Sequence, residues 1–380
     1  MAPKCTLALM STFALLLAAC GGSREPVYIG VAGPLSAANG ASMKAAAEMA
    51  AAEINAKGGI GGRRPVKLVF MDDGGDPQKA IQVAKTLRDS DSIVAVIGHV
   101  GSSASIAAAP IYNALDHEGD PVVQISPASS SPALREAGDW TFRVTPTDLE
   151  FSPALAQWAA QRLGRRRAAV LYANDDYGQG VRTTFERAFQ AGGGAVVTAD
   201  PYLPAVLARG DELDPYLSRA IRRGADALVI GGQAEAGAKI VAAARRLGYT
   251  GPILGSDGLT GLKDAGPVAE GVFVSSAFLP DRPAAEAQRF VTSYRQRTQK
   301  LPDHRGAMTY DVMYLLSAAI EHAGTDREAI RDYVASIGNG RDGHQGVSGL
   351  IQFDEMGDVR GKEVSVGVVR GGQLVTAGRQ

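Results

Sequence analysis

Cysteine is nearly absent from this chain: 380 residues hold two, Cys5 and Cys20, both within the first twenty positions. That excludes a disulfide framework and any cysteine-rich metal site. Histidine is almost as scarce. His99, His117, His304, His322 and His344 are scattered without metal-ligand spacing, and surface or structural roles are expected for all five. An excess of charge is missing too, with 39 Lys plus Arg against 40 Asp plus Glu and a formal net charge of -1. Nucleic-acid affinity comes mostly from clustered cations meeting phosphates, so that class of partner is disfavoured. Beyond residue 20 no apolar run approaches membrane-spanning length. Enzyme signatures are lacking as well. There is no G-x-S-x-G elbow, no Walker sequence and no His-Glu-x-x-His. Gly59-Ile60-Gly61-Gly62 lacks the last glycine of a dinucleotide fingerprint and follows a helix rather than a strand. Asp72, Asp73 and Asp76 cluster without the distal Glu of a calcium loop, and read as a strand end and a helix cap. No cofactor and no metal is expected.

What is present begins at the N-terminus. Lys4 precedes an uncharged run from Thr6 to Ala19, too short for a stable span. It ends in Leu17-Ala18-Ala19-Cys20, which resembles the lipobox of bacterial lipoproteins. The resemblance implies a signal peptide over 1–19, cleavage before Cys20, and a diacylglyceryl group on its sulfur. A plain secretory leader is the other reading. Residues 20–26 make a short tether without apolar pattern.

From Val27 onward, short apolar runs alternate with amphipathic stretches. Strands are expected at Val27 to Ala32, Val66 to Met71, Ile93 to Ile97 and Pro121 to Ile125, with helices at Ala41 to Ala56, Pro77 to Leu87 and Ser102 to Leu115. Asp76-Pro77 supplies a cap and a proline at the first helical position. A second block repeats the alternation from Leu155 to Ser275. Continuous apolar strands between amphipathic helices indicate parallel sheets covered on both faces. Two longer helices follow, Ala284 to Gln296 and Met308 to His322, and the end of the chain reads as strands. A chain of this length divides into two lobes. The arginine runs at 165–167, 222–223 and 245–246 sit near helix ends, where they complement the dipole.

The residues that could carry chemistry lie just after strands. Ile97-Gly98-His99-Val100-Gly101-Ser102-Ser103-Ala104-Ser105 and Ile125-Ser126-Pro127-Ala128-Ser129-Ser130-Ser131-Pro132 both fall at carboxyl ends, where open α/β sheets form ligand crevices. Helix-start N–H groups and serine hydroxyls suit a carboxylate. The same serines also suit caps and turns. In the second block Asp175-Asp176-Tyr177-Gly178, Gly231-Gly232-Gln233 and Gly255-Ser256-Asp257-Gly258 follow their strands. A carboxylate among them suits an ammonium group, although Asp257 alone reads as a turn residue.

Taken in order, these motifs resemble the branched-chain amino acid (Leu/Ile/Val-binding) type of periplasmic substrate-binding protein. The matches are Val31 to Gly40 with Gly33-Pro34-Leu35-Ser36, Glu53 to Ile60, Asp72 to Pro77, Gly98-His99 with Ser102-Ser103, Ile125 to Ala128, Tyr177-Gly178, and Phe353 to Asp358. The resemblance implies the type I fold, with two α/β lobes, each an open and mainly parallel sheet flanked by helices. Lobe 1 would comprise 27–145 and 278–348, and lobe 2 would comprise 146–277 and 349–380. Three hinge crossings would fall near Arg143 to Thr147, Ser275 to Phe278 and Val347 to Leu350. Ser102 and Ser130 would hold a ligand carboxylate, with Ser103 and the Ala128 backbone beside them. Tyr177 would close over the ligand and Asp257 would pair with its ammonium. Implied partners are a small amino acid-like ligand, the permease subunits of an ABC transporter, and the membrane through the anchor, with a location in the periplasm or at the cell surface.

Three positions depart from the pattern. Asp257 stands where the family usually has Glu, shortening the reach by about 1.3 to 1.5 Å. Asn39 and Gln233 stand where aromatics are common. Aliphatic ligands gain roughly 25 cal/mol per Å² of apolar burial, and unpaired buried amides oppose that gain. A polar amino acid is therefore expected in preference to leucine, isoleucine or valine. A sensor or envelope-assembly lipoprotein of the same fold is the alternative. A hydrolase would need a base, and only His99, three residues before Ser102, is near a serine motif.

Overall fold

The computed structural model describes residues 25–207 and 211–378; the leader and Cys20 lie outside the described residues. Strands β1 (Val27–Gly33), β2 (Val66–Asp72), β3 (Ile93–Ile97), β4 (Gln124–Ser126) and β5 (Thr141–Arg143) form a parallel sheet in the order β2-β1-β3-β4-β5. Helices α1 (Ala38–Ala56), α2 (Pro77–Arg88) and α3 (Ser102–Tyr112) connect its strands. Every residue of β3 is buried, as a run of Ile, Val and Ala demands when both faces are covered. Asp76 caps α2, accepting from the Gln78 and Lys79 N–H groups at 2.8 and 2.9 Å, and Pro77 follows it.

A second sheet holds β6 (Arg167–Ala173), β7 (Ala195–Tyr202), β8 (Ala227–Gly231), β9 (Ile253–Gly255) and β10 (Phe273–Ser276), all parallel. Helices α4 (Asp148–Gln157) and α5 (Asp176–Ala191) pack on one face. Helices α6 (Asp214–Arg222) and α7 (Ala234–Arg246) cover the other, with the 3-10 segment Asp257–Ala269. Thr147 and Glu150 form a capping box that starts α4.

Helices α8 (Ala285–Thr298), α9 (His304–Ala323) and α10 (Arg327–Ser336) return to the first sheet, where Met308, Val312 and Leu316 of α9 pack against Met43, Ala47 and Ala50 of α1. The sequence reading contains no counterpart of α10, although Ile330 and Val334 bury one face of it. A small hairpin of β11 (His344–Gly346) and β12 (Gly349–Ile351) comes next. Finally β13 (Ser365–Arg370) and β14 (Gln373–Thr376) add antiparallel strands beside β10. The two sheets, mainly parallel and flanked by helices, are the expected α/β class.

The chain passes between the sheets three times: after β5, after β10 and before β13. The last passage lies further along than Val347 to Leu350, where it was expected. Ile351, Phe353 and Val359 belong to the first core, Phe353 meets Phe142 edge-on with ring centroids 5.2 Å apart, and Asp358 accepts from Arg143 Nε at 2.6 Å. Residues 349–359, assigned from sequence to lobe 2, therefore pack with lobe 1, because an aromatic contact and a buried ion pair hold them there. In each sheet the strand order reverses at one strand, β1 between β2 and β3 and β6 between β7 and β8. Such switch points open a crevice at the carboxyl ends.

Candidate functional site

The carboxyl ends of β3 and β4 in the first lobe face those of β6, β8 and β9 in the second. Several hydrogen bonds cross the seam. The Asp176 N–H donates to Ser103 Oγ at 3.2 Å, Arg305 Nη2 to Gln233 Oε1 at 3.0 Å, and Arg305 Nη1 to Thr260 Oγ1 at 3.0 Å. Thr260 Oγ1 also lies 3.1 Å from His304 Nδ1.

On the first-lobe wall the serines do not all spend their hydroxyls as caps. Ser102 is the first residue of α3 rather than its cap, and its Oγ accepts from the Ser131 N–H at 3.2 Å, tying the two serine stretches together. Ser126 Oγ, by contrast, is a turn former, accepting from Ser129 and Ala128 N–H at 3.0 and 3.4 Å. Ser130 Oγ is fully buried and has no hydrogen-bond partner among the described residues. Beneath this wall the His99 ring is held by Asp73 Oδ2 at 2.5 Å and Tyr112 Oη at 3.2 Å. With both nitrogens engaged it is a structural residue and not a base for Ser102, which removes the one candidate for a serine hydrolase. The acidic cluster is likewise structural, and among the described residues no group of three or more acidic, His or Cys side chains could hold a metal.

On the second-lobe wall Tyr177 Oη donates to Asp257 Oδ1 at 3.0 Å and accepts from the Gly258 N–H at 2.7 Å. Burial, then the Asp257 and Asp148 charges, push the Tyr177 hydroxyl well above its ordinary range, so it stays a donor. Asp257 is 2% exposed and also accepts from Ser256 Oγ at 3.1 Å, with His304 Nε2 3.5 Å from its other oxygen. Burial raises its carboxyl above 3.8, while Arg305, Tyr177 and Ser256 oppose the rise. Asp257 is thus no turn residue.

Asp148, which belongs to none of the sequence motifs, lies between the walls. It is fully buried, and neither of its oxygens completes a hydrogen bond among the described residues. Burial pushes its carboxyl well above the usual range, the Asp257 charge adds to this, and the nearby Ser130 hydroxyl and Arg143 only partly offset it. A buried hydroxyl and two buried carboxyls, all short of partners or of charge balance, are costly unless something supplies donors and positive charge. An ammonium group does both.

Outward from this seam is a cleft of about 420 Å³ lined by Asn39, Ser42, Gln233, Lys263, Asp303 and Arg305, among others. Asn39 and Gln233 therefore sit together in an outer chamber, while Ser102, Ala128, Ser130, Tyr177 and Asp257 are buried further in. Arg305 and His304 were missed, His304 having been expected at the surface or in a structural role. Asp303 caps α9, accepting from the Gly306 N–H at 3.0 Å. Burial would raise its carboxyl, but Arg305 and His304 hold it below its ordinary value. The available signal was Asp303-His304-Arg305 itself, two basic side chains at a helix N-terminus where the dipole disfavours them.

Two α/β lobes joined by three passages, with a buried polar seam between strand carboxyl ends, define a two-lobed solute-binding protein. The chain belongs to the periplasmic binding protein family, whose profile matches residues 26–355. It is 29% identical over 329 residues to the Leu/Ile/Val/Thr-binding protein of Salmonella typhimurium, covering 84% of each chain, and 28% identical over 352 residues to the Leu/Ile/Val-binding protein of Escherichia coli, covering 90% of each. Among solved structures it resembles an ABC transporter substrate-binding protein from Desulfitobacterium hafniense in complex with Leu, at 31% identity and TM-score 0.78, covering 93% of this chain and 100% of that one. A leucine binding protein from Thermotoga maritima superposes with TM-score 0.82 at 30% identity, covering 92% of this chain and 97% of that one. These relatives are binding proteins of transport systems, not enzymes, and the family implies a periplasmic location.

Proposed function

We propose that this protein captures an α-amino acid between its lobes and presents it to the permease subunits of an ABC transporter. The observation that carries the reading is the buried pair of Ser130 Oγ and Asp148, which complete no side-chain hydrogen bond among the described residues, beside the buried carboxyl of Asp257 at the seam. Ser102 and Ser130, with the Ala128 backbone and Ser103 beside them, would hold the carboxylate against the start of α3. Asp257, assisted by Asp148, would hold the ammonium, and Tyr177 would close over the ligand. Asn39 and Gln233 would meet its side chain. Asn39, Gln233 and Arg305 in the lining of the chamber support a polar side chain over the aliphatic ones bound by the named relatives. Titration calorimetry of residues 21–380 against an amino acid panel tests this: a polar amino acid is expected to bind tightest, and tight leucine binding without gain for any polar amino acid refutes the preference.

In the same proposal Cys20 is the lipidated first residue of the mature chain and anchors it to the membrane. The support is the Leu17-Ala18-Ala19-Cys20 motif alone. Cys20→Ser in cells should move the protein from the membrane fraction to the soluble one; an unchanged distribution argues for a plain secretory leader.

A further inference from the structure

We propose that Arg305 is the specificity-determining residue of this site and that it reads an oxygen acceptor at the end of the ligand's side chain, amide or carboxylate. The inference rests on the amino acid reading above and extends it to substrate class.

Arg305 is 3% exposed, lies at the second position of α9 and lines the outer chamber beside Asn39 and Gln233. A guanidinium carries five N–H donors in a fixed fork. Nη1 donates to Thr260 Oγ1 at 3.0 Å and to Asp303 Oδ2 at 3.3 Å, and Nη2 donates to Gln233 Oε1 at 3.0 Å. Nε is buried with no partner among the described residues. Together with the second Nη2 hydrogen, two donors of one buried cation remain unclaimed at the chamber.

The surroundings make this placement costly unless it is used. A cation at a helix N-terminus opposes the helix dipole, and a buried unsatisfied donor loses its hydration without compensation. The three protein acceptors come from both lobes, Thr260 and Gln233 from the second and Asp303 from the first, so the fork is fixed only when the lobes meet. A fork so held recognises an sp² oxygen with geometric precision that an apolar side chain cannot use. Leucine offers no acceptor and would leave the two donors buried. The other charges lining the chamber, Lys263 and Lys300 against Glu235, Asp264 and Asp303, leave little net field to separate amide from carboxylate. Binding data must make that distinction.

The test uses calorimetry of residues 21–380 with glutamine, glutamate, asparagine, aspartate and leucine, on the natural protein and on Arg305→Leu. The natural protein is expected to bind at least one of the four oxygen-bearing amino acids more tightly than leucine, the glutamine and glutamate arms telling amide from carboxylate. Arg305→Leu should shift the ratio of affinities toward leucine by at least tenfold. A structural role alone would weaken all ligands in proportion, and a ratio held within twofold overturns the assignment. If Arg305→Leu does not fold, Arg305→Gln, which keeps a donor for Gln233 but removes the free pair, is read in the same way. Absence of binding by every amino acid would instead sink the underlying reading, and this inference with it.

Discussion

At the residue scale, the proposed function rests on a few groups placed where burial makes them expensive. Asp257 is held by the Tyr177 and Ser256 hydroxyls, and in the proposed reading its loss would remove the main countercharge for an ammonium. Asp257→Ala is expected to weaken binding of an amino acid at least a hundredfold, about 2.8 kcal/mol, while Ser102→Ala, which deletes one donor to a carboxylate, should cost about tenfold. Affinities unchanged from the natural chain in both variants, measured by calorimetry, would remove the pocket assignment. The raised carboxyls also set a pH dependence. An ammonium ligand favours the ionised form of Asp257 and Asp148, so their pKa values fall on binding and protons leave. Affinity should therefore drop as pH falls through the raised range above 3.8, and proton release should appear as a buffer-dependent binding enthalpy. No dependence on buffer at mildly acidic pH would contradict it. Folding of the unliganded chain has the opposite sign. Acids with raised folded-state pKa values contribute stability at low pH that is lost as pH rises from the unfolded value through the folded one.

At the element scale, two close approaches explain why particular residues stand where they do. Gly178, in the Tyr177-Gly178 pair, lies in the first turn of α5 against the end of β6; a Cβ there would stand 2.1 Å from the Ala173 carbonyl oxygen and 2.7 Å from its nitrogen. Backbone cannot yield as a side chain does, so Gly178→Ala should destabilise by about 1 to 3 kcal/mol and displace Tyr177. Denaturant melts checked against the natural chain would show it, and an unchanged midpoint would refute the contact. The second approach joins hinge and wall. Arg143, at the end of β5, donates to Asp358 from Nε at 2.6 Å and to the carbonyl oxygens of Ser129 and Ser131 from Nη1 at 3.2 and 2.6 Å. Its N–H donates to the Gly357 carbonyl at 3.0 Å. One buried side chain thus ties the first and third passages to the serine wall. Removing one partner of a buried pair strands the other, so Asp358→Ala should cost about 3 to 5 kcal/mol in thermal or chemical unfolding. A loss below about 1 kcal/mol would mean that the pair is dispensable.

At the scale of the whole molecule, three passages restrict relative motion of the lobes to a hinge, and a ligand held by both walls favours the arrangement in which they meet. Ser103 with Asp176, and Arg305 with Gln233 and Thr260, are among the contacts that form across the seam. Ligand at 100 times its dissociation constant should add about 2.7 kcal/mol of stability, seen as a rise in melting temperature. Small-angle scattering should show a smaller radius of gyration with ligand than without. A rise in melting temperature without compaction would count against closure.

Much of the fold was legible in sequence because its elements are locally encoded. The apolar run of β3, the Asp76-Pro77 start of α2 and the 3.6-residue stripe of α9 each need only neighbours in the chain to be read. Helix α10 was missed because its few apolar residues, Ile330 and Val334, are diluted by charge, and the third passage was misplaced because Phe353 and Asp358 find partners more than two hundred residues earlier. For the site, the sequence by itself determined which segments end at strand carboxyl termini and so which serines, Tyr177 and Asp257 were candidates. Only the tertiary structure decided that Asp148, His304 and Arg305 join them. They join it through burial and through groups distant in the chain, Asp257 beside Asp148 and His304, and Gln233 and Thr260 beside Arg305, and neither is a property of local sequence.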